Sequence, residues 1–226
     1  MIRPISIAVA AVALFSAMPC LADDDDKDDA RNLYVEQLSK PASHINSGIS
    51  YWLELKKANA TAASKVSNKK VFHSGDKLRF HVKPNFNGYA YVLMMQSSQG
   101  DHSVLFPTKK FPSNRIYAGR DIALPVGNGG PAWMKFDENP GKETLRVICS
   151  RTPIDPKTQF KKDDDTVTIS SNEGDDTVPS GTVVSVESRN LTVEQSKKKP
   201  LHGSVTVVSH NPKKLLAVDI VLNHQD

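Results

Sequence analysis

The sequence predicts an all-β fold: a mainly antiparallel sandwich, immunoglobulin-like or jelly-roll-like, with a short N-terminal helix and a flexible C-terminal insertion. Three observations carry this expectation. Three strand patterns follow one another within residues 72–108, turn residues separate them, and further short period-two segments recur along the chain. A parallel sheet would need strands alternating with helical crossovers, which this pattern does not offer.

In residues 77–83, Leu78, Phe80 and Val82 alternate with Lys77, Arg79, His81 and Lys83, so one face is apolar and the other cationic. Pro84, Asn85, Asn87 and Gly88 break the pattern with residues suited to reversals. Residues 89–95 are apolar on both faces, as an inner strand requires. A turn around Gly100 then leads into 103–106, which Pro107 ends. Upstream, Ala30, Leu33, Tyr34, Gln37 and Leu38 recur at helical spacing, with Asp28 or Asp29 as cap and Pro41 as stop. This helix is expected to lie on the sheet.

Residues 49–55 place Tyr51, Leu53 and Leu55 on one face and Ser50, Trp52 and Glu54 on the other, whereas 59–70 is polar and reads as a loop. Ile122 and Leu124 mark a short strand, 126–131 a Gly-rich turn, and Ala132, Met134 and Phe136 another alternation. Asn139, Pro140 and Gly141 form a turn, because proline presets one φ and glycine supplies the next. Residues 144–150 follow, with Leu145, Val147 and Cys149 facing one way and Thr144, Arg146, Ile148 and Ser150 the other. From 154 to 199 large apolar residues are scarce and charges cluster, so much of this stretch is expected to be mobile, with 166–170 and 182–186 as a protruding hairpin. Residues 205–208 and 215–222 are strand-like again.

With 226 residues and 38% hydrophobic content, the chain can bury one sizeable core. The basic and acidic residues nearly balance, 29 against 25, which argues against nucleic acid as a partner. Arg3, the apolar run 5–17 and the Cys20-Leu21-Ala22 site before Asp23 have the order of a secretory signal peptide. Lipidation at Cys20 is disfavoured by Pro19 directly before it. No later segment approaches the roughly 20 apolar residues of a membrane helix. Residues 23–27 read DDDDK, which also matches an engineered protease tag; in either case it is solvated linker. Removal of the leader leaves Cys149 without a disulfide partner. The expected organisation is signal peptide 1–22, acidic linker 23–29, sandwich 30–153, flexible charged segment or protruding hairpin 154–200, and strands 201–226 returning to the sandwich.

The order SGDKLRFHV, GYAYVLMM, SVLFP and FDENPGKETLRVICSRTP resembles the bacterial domain of unknown function 4384 family. The segment ARNLYVEQLSKPASHINSGISYWLEL resembles what precedes this domain in small exported members, so the likeness extends over about residues 30–153. It implies an exported β-sandwich-like domain and supplies no catalytic residue to carry over. Gly75-Asp76, Gly88-Tyr89, Phe106-Pro107 and Pro140-Gly141 read as turn and core chemistry.

Chemistry-bearing residues are sparse. Cys149 with His73, His81 or His102 and Asp101 or Asp121 is the one nucleophilic arrangement that can be drawn, but a mid-strand cysteine sharing a face with Leu145 and Val147 reads as a small core residue. The seven histidines show no zinc spacing, and the carboxylates of 163–165 and 172–176 lack the ordered spacing of a calcium loop, so neither metal nor cofactor is expected. Lysine pairs at 56–57, 69–70, 109–110, 161–162 and 213–214, with the triplet 197–199, either keep loops soluble or converge as a cationic rim. Trp52 and Trp133 face away from the apolar sets of their strands. The candidate binding residues are therefore Trp52, Trp133, Lys109, Lys110, Lys197, Lys198 and Lys199. The expected role is a non-enzymatic binding or assembly module, periplasmic or secreted, whose partner is an envelope or secreted protein. The alternatives are binding of an anionic polysaccharide through the lysine loops and hydrolysis at Cys149.

Overall fold

In the computed structural model, which describes residues 30–68, 70–128, 130–161, 166–169, 191–195 and 204–226, the period-two segments become strands. After helix α1 (Ala30–Ser39) come β1 (Ser47–Lys56), β2 (Ser64–Val66), β3 (Val71–His73), β4 (Lys77–Pro84), β5 (Gly88–Gln96), β6 (Ser103–Phe106) and β7 (Arg115–Ile116). The short strands β8 (Ile122–Leu124), β9 (Val126–Gly127), β10 (Gly130–Pro131) and β11 (Met134–Lys135) lead to the long β12 (Gly141–Ser150). The remainder is β13 (Thr166–Ile169), β14 (Leu191–Gln195), β15 (Val205–Ser209) and β16 (Leu216–Gln225).

Two sheets form. The first runs β11-β4-β1-β15-β14, with β2 also on β1 and β8 on β4; the second runs β13-β16-β12-β5-β6, with β3 also on β16 and β7 on β5. Pairing is antiparallel except for β13 and β3, which lie parallel to β16. The alternation decides which side chains meet. Ile49, Tyr51, Leu53, Phe80 and Val82 of the first sheet pack with Val92, Leu145, Val147, Cys149, Val218 and Ile220 of the second in one buried cluster. Each such aliphatic removed from water contributes about 1.5–3 kcal/mol. The chain is thus an all-β sandwich, as its sequence predicts.

The outer face of the second sheet is covered by the chain that leaves β12. Ile154 and Phe160 pack on a second cluster of Tyr91, Leu93, Ile148 and Ala217. Arg146 ties this layer down: Nε and Nη2 donate to the two oxygens of Asp219, its neighbour across the strand pair, at 2.6 and 2.8 Å. Its Nη1 donates to the carbonyls of Gln159 and Lys161 at 2.7 and 2.8 Å, closing the 3-10 turn Pro156–Phe160 onto the sheet. Burial of this guanidinium is tolerable only because both its charge and its donors are met.

On the first sheet, α1 packs Ala30, Leu33, Tyr34 and Leu38 around Val208. A buried amide network fixes it there. Gln37 Oε1 accepts from the backbone nitrogens of Ile45 and Asn46, Asn46 Nδ2 donates to the Leu33 carbonyl, and Asn85 Nδ2 donates to Asn46 Oδ1. Gly88 opens β5 so close to β12 that a Cβ there would collide with the Ser150 carbonyl.

Several expectations are corrected. The 59–70 loop contains β2, which pairs with β1 across Leu53 and Val66. Residues 154–161 are pinned by Arg146, and β13, expected in a protruding hairpin, pairs with the central β16. Strand β14 escapes the periodicity reading, because its place beside β15 is a tertiary pairing. The signal peptide 1–22 with Cys20, the linker 23–29 with the Asp28 or Asp29 cap, and residues 163–165, 172–176 and 182–186 lie outside the described residues.

Replacing Arg146 by alanine strands the Asp219 carboxylate in the interior. The expected loss is about 3–5 kcal/mol of unfolding free energy in urea, with amide exchange in 156–161 rising first.

Candidate binding face

The part of the first sheet not covered by α1 presents the outward side chains of β1, β2, β4 and β11. Register places Trp52 opposite His81, Glu54 opposite Arg79 and Lys56 opposite Lys77. Lys65 of β2 lies opposite Glu54, and Lys135 of β11 opposite Lys77. Strand alternation therefore aligns Lys56, Lys77 and Lys135 in one row across three strands.

Aromatic rings and cations interleave on this face. The Trp52 and His81 rings stack with centroids 4.9 Å apart and 13° between planes, and the Lys65 ammonium stands 4.9 Å over the Trp52 ring. The Arg79 guanidinium lies 4.3 Å over Trp133. Each such contact contributes about 0.5–2 kcal/mol, depending on desolvation. Glu54 Oε2 accepts from Arg79 Nε at 2.5 Å and lies 2.8 Å from His81 Nε2, while His81 Nδ1 lies 2.9 Å from Asp121 Oδ2. Lys65 Nζ also reaches Ser204 Oγ. Lys56, Lys65, Lys77, Arg79, Lys83 and Lys135 outnumber Glu54 and Asp121, so the face is cationic.

The ionic contacts set the protonation states. The Asp121 hydrogen bond raises the His81 pKa above its ordinary 6.5, and the Glu54 bond reinforces it against the opposing effect of burial. Burial pushes the Glu54 carboxyl up, but its bonds to Arg79 and His81 prevail and hold it below 4.5. Burial lowers the Lys65 pKa.

Trp52 and Trp133 thus occupy this face half-buried, with cations over their rings. Lys109 and Lys110 are exposed in the loop after β6 of the second sheet, where Lys110 stands over Phe111. Lys197, Lys198 and Lys199 lie outside the described residues. Among the described residues the lysine pairs do not converge into one rim: 56–57 lie at the end of β1, and 213–214 follow β15 beyond its pairing with the start of β1, about 30 Å away along the strand. The sequence reading missed Glu54, Lys65, Arg79, Lys135 and the salt-bridging role of His81. For Glu54, Arg79 and His81 the signal was present, since they stand at outward positions of two predicted strands, but Lys65 lay in a segment read as loop and strand adjacency was needed to join them all.

The nucleophilic arrangement around Cys149 is not assembled. Its sulfur is sealed between the sheets and burial pushes the thiol up to about 12, while His81 and Asp121 meet on the outer side of the opposite sheet. A different trio does line up: Ser74 Oγ lies 3.1 Å from His224 Nε2, and His224 Nδ1 lies 3.8 Å from Glu143 Oε1. Two features give it a structural role. The imidazole is completely buried against Phe136, and the two amides after Ser74 already donate to the carbonyls of Phe136 and His73. It ties the end of β16 to the turn after β3. Among the described residues no group of His, Cys, Asp and Glu can hold a metal ion, and no helix is long and apolar enough to cross a membrane.

The sign of each shift fixes a pH window. His81's contribution to stability is complete below pH 6.5 and is lost as pH rises through its raised folded pKa. Glu54's is complete above pH 4.5 and is lost as pH falls through its lowered one. Both are fully present between pH 4.5 and 6.5. NMR titration is expected to place the His81 pKa above 6.5, and Asp121→Asn is expected to lower it and flatten the fall of stability on the alkaline side.

No curated protein and no solved structure matches the chain. Residues 71–153, from β3 through β12, match the family described as Domain of unknown function (DUF4384), the family that the sequence resembles.

Proposed function

We propose that this chain is an exported, non-catalytic β-sandwich module of the bacterial envelope that binds an acidic protein partner on the outer face of its first sheet. The observation that carries this reading is the row Lys56, Lys77 and Lys135 beside Arg79, Lys65 and the two tryptophans. A face dense in cations steers and holds an anionic surface, since charge complementarity speeds encounter and fixes register, and the tryptophans hold the cations in place. Export is supported by the basic start, apolar run and small-residue site of residues 1–22. An anionic polysaccharide suits the charge, but sugar rings bind by stacking on open indole faces. Here Lys65 and His81 already meet Trp52, and Arg79 meets Trp133, which favours a protein surface.

Crosslinking in the native envelope is expected to recover one acidic protein, with recovery falling at least about tenfold in the Lys77→Glu, Lys135→Glu double variant and falling with added salt. Recovery unchanged by both the charge reversal and salt sinks the binding face. A chain found in the cytoplasm with residues 1–22 intact sinks export.

A further inference from the structure

A concavity separate from that face lies where the α1–β1 connection, the β4–β5 turn, the loop after β7 and the end of β12 converge. Its volume is about 180 Å³. Pro41, Phe86 and Ala118 supply apolar walls; Asn85, Asn87, His44 and Arg151 supply the polar ones. Accounting for their hydrogen bonds leaves an excess of donors. Asn85 is spent: Oδ1 accepts from Gly48 N and Nδ2 donates to Asn46 Oδ1. Asn87 Oδ1 accepts from Ala118 N at 2.9 Å, which turns its amide NH₂ to other use. Arg151 Nη2 donates to the Asn46 carbonyl at 2.7 Å, and its guanidinium lies 4.7 Å over the Phe86 ring. Its Nε is buried without a hydrogen-bond partner, and no carboxylate of the described residues pairs with it. The guanidinium is therefore held in a fixed plane, by a ring on its face and a carbonyl at one edge, with its charge uncompensated.

Three further observations point the same way. His44, at the cavity wall, is the non-glycine residue of the described chain with positive φ, at 48°. Ile45 and Tyr117, each next in sequence to a wall residue, are among the three large apolar side chains exposed at the described surface. Burial pulls the Arg151 guanidinium below the usual arginine value, a cost that an anion would relieve.

We propose that this cavity is a carboxylate-binding site, in which Arg151 and the Asn87 amide receive the carboxylate and Pro41, Phe86 and Ala118 hold a short apolar tail. A carboxylate fits better than a phosphate dianion because one planar guanidinium and one amide match its two oxygens, and the walls beyond them are apolar. The same chemistry is offered by a free short-chain acid and by the C-terminus of a peptide.

The ¹⁵N-labelled full chain, titrated at constant ionic strength with sodium acetate and with a short peptide ending in alanine, free or C-terminally amidated, tests this. The expected result is a saturable shift of the Arg151 Nε–H signal and of the Asn87 and Ala118 amides with acetate and the free peptide, and none with chloride or the amidated peptide. Asn87→Asp keeps an oxygen for Ala118 N, replaces the amide donor by a negative charge, and is expected to weaken binding at least about tenfold. Arg151→Gln is expected to abolish it. Acetate binding as tightly as the free peptide assigns a small acid as the ligand; a tighter peptide assigns a chain terminus. Equal binding of the amidated peptide, the same shifts with chloride, or unchanged affinity in Asn87→Asp overturns the site.

Discussion

Two apolar faces, each made by every second residue of neighbouring strands, must exclude water from one another, and the rest of the molecule is arranged to let them. The strands that do most of this are not confined to the segment that matches the family. Strand β1 is the middle of the first sheet and β16 pairs with β12 along nearly its whole length, yet both fall outside residues 71–153. Without them β4 and β12 would each expose a ladder edge and Phe80, Leu145 and Val147 would face solvent. The folding unit is therefore wider than the matched segment and needs both flanks.

The outer faces are finished by opposite means. The second sheet is apolar on both sides, and its outer side needs a lid, which the chain after β12 supplies and Arg146 fastens through Asp219 and two carbonyls. On the first sheet, α1 covers the region around Val208, and the rest carries charge. There the paired groups neutralise each other only in part: Glu54 and Asp121 satisfy Arg79 and His81, while the lysine row has no carboxylate opposite it in register. It is this surplus of positive charge on a rigid sheet that the proposed docking of an acidic partner rests on.

The amide network of Gln37, Asn46 and Asn85 links these features. It anchors the helix to the start of β1, and through the Asn46 carbonyl it also orients Arg151 at the neighbouring cavity. Buried polar residues are costly unless fully satisfied, and here satisfaction fixes the geometry of a concave surface lined with donors. Cys149 is core, and the Ser74, His224 and Glu143 alignment closes one end of the sandwich with its neighbouring amides already engaged.

By itself the sequence determined the fold class, the central strands, the helix and the inward or outward facing of Trp52, His81 and Cys149, because a period of two is a local property that any strand obeys. It also supplied the family likeness. Only the tertiary structure decided which outward residues become neighbours. Lys135 joins Lys77 and Lys56 because β11 happens to pair with β4, and Arg79 reaches Trp133 across a gap of more than fifty residues. The same holds for Arg146 reaching Asp219, for β13 joining β16, and for the three connections that enclose Arg151. Spacing along a chain fixes the face on which a side chain emerges, whereas partners on that face are fixed by strand order, which is chosen by the whole core.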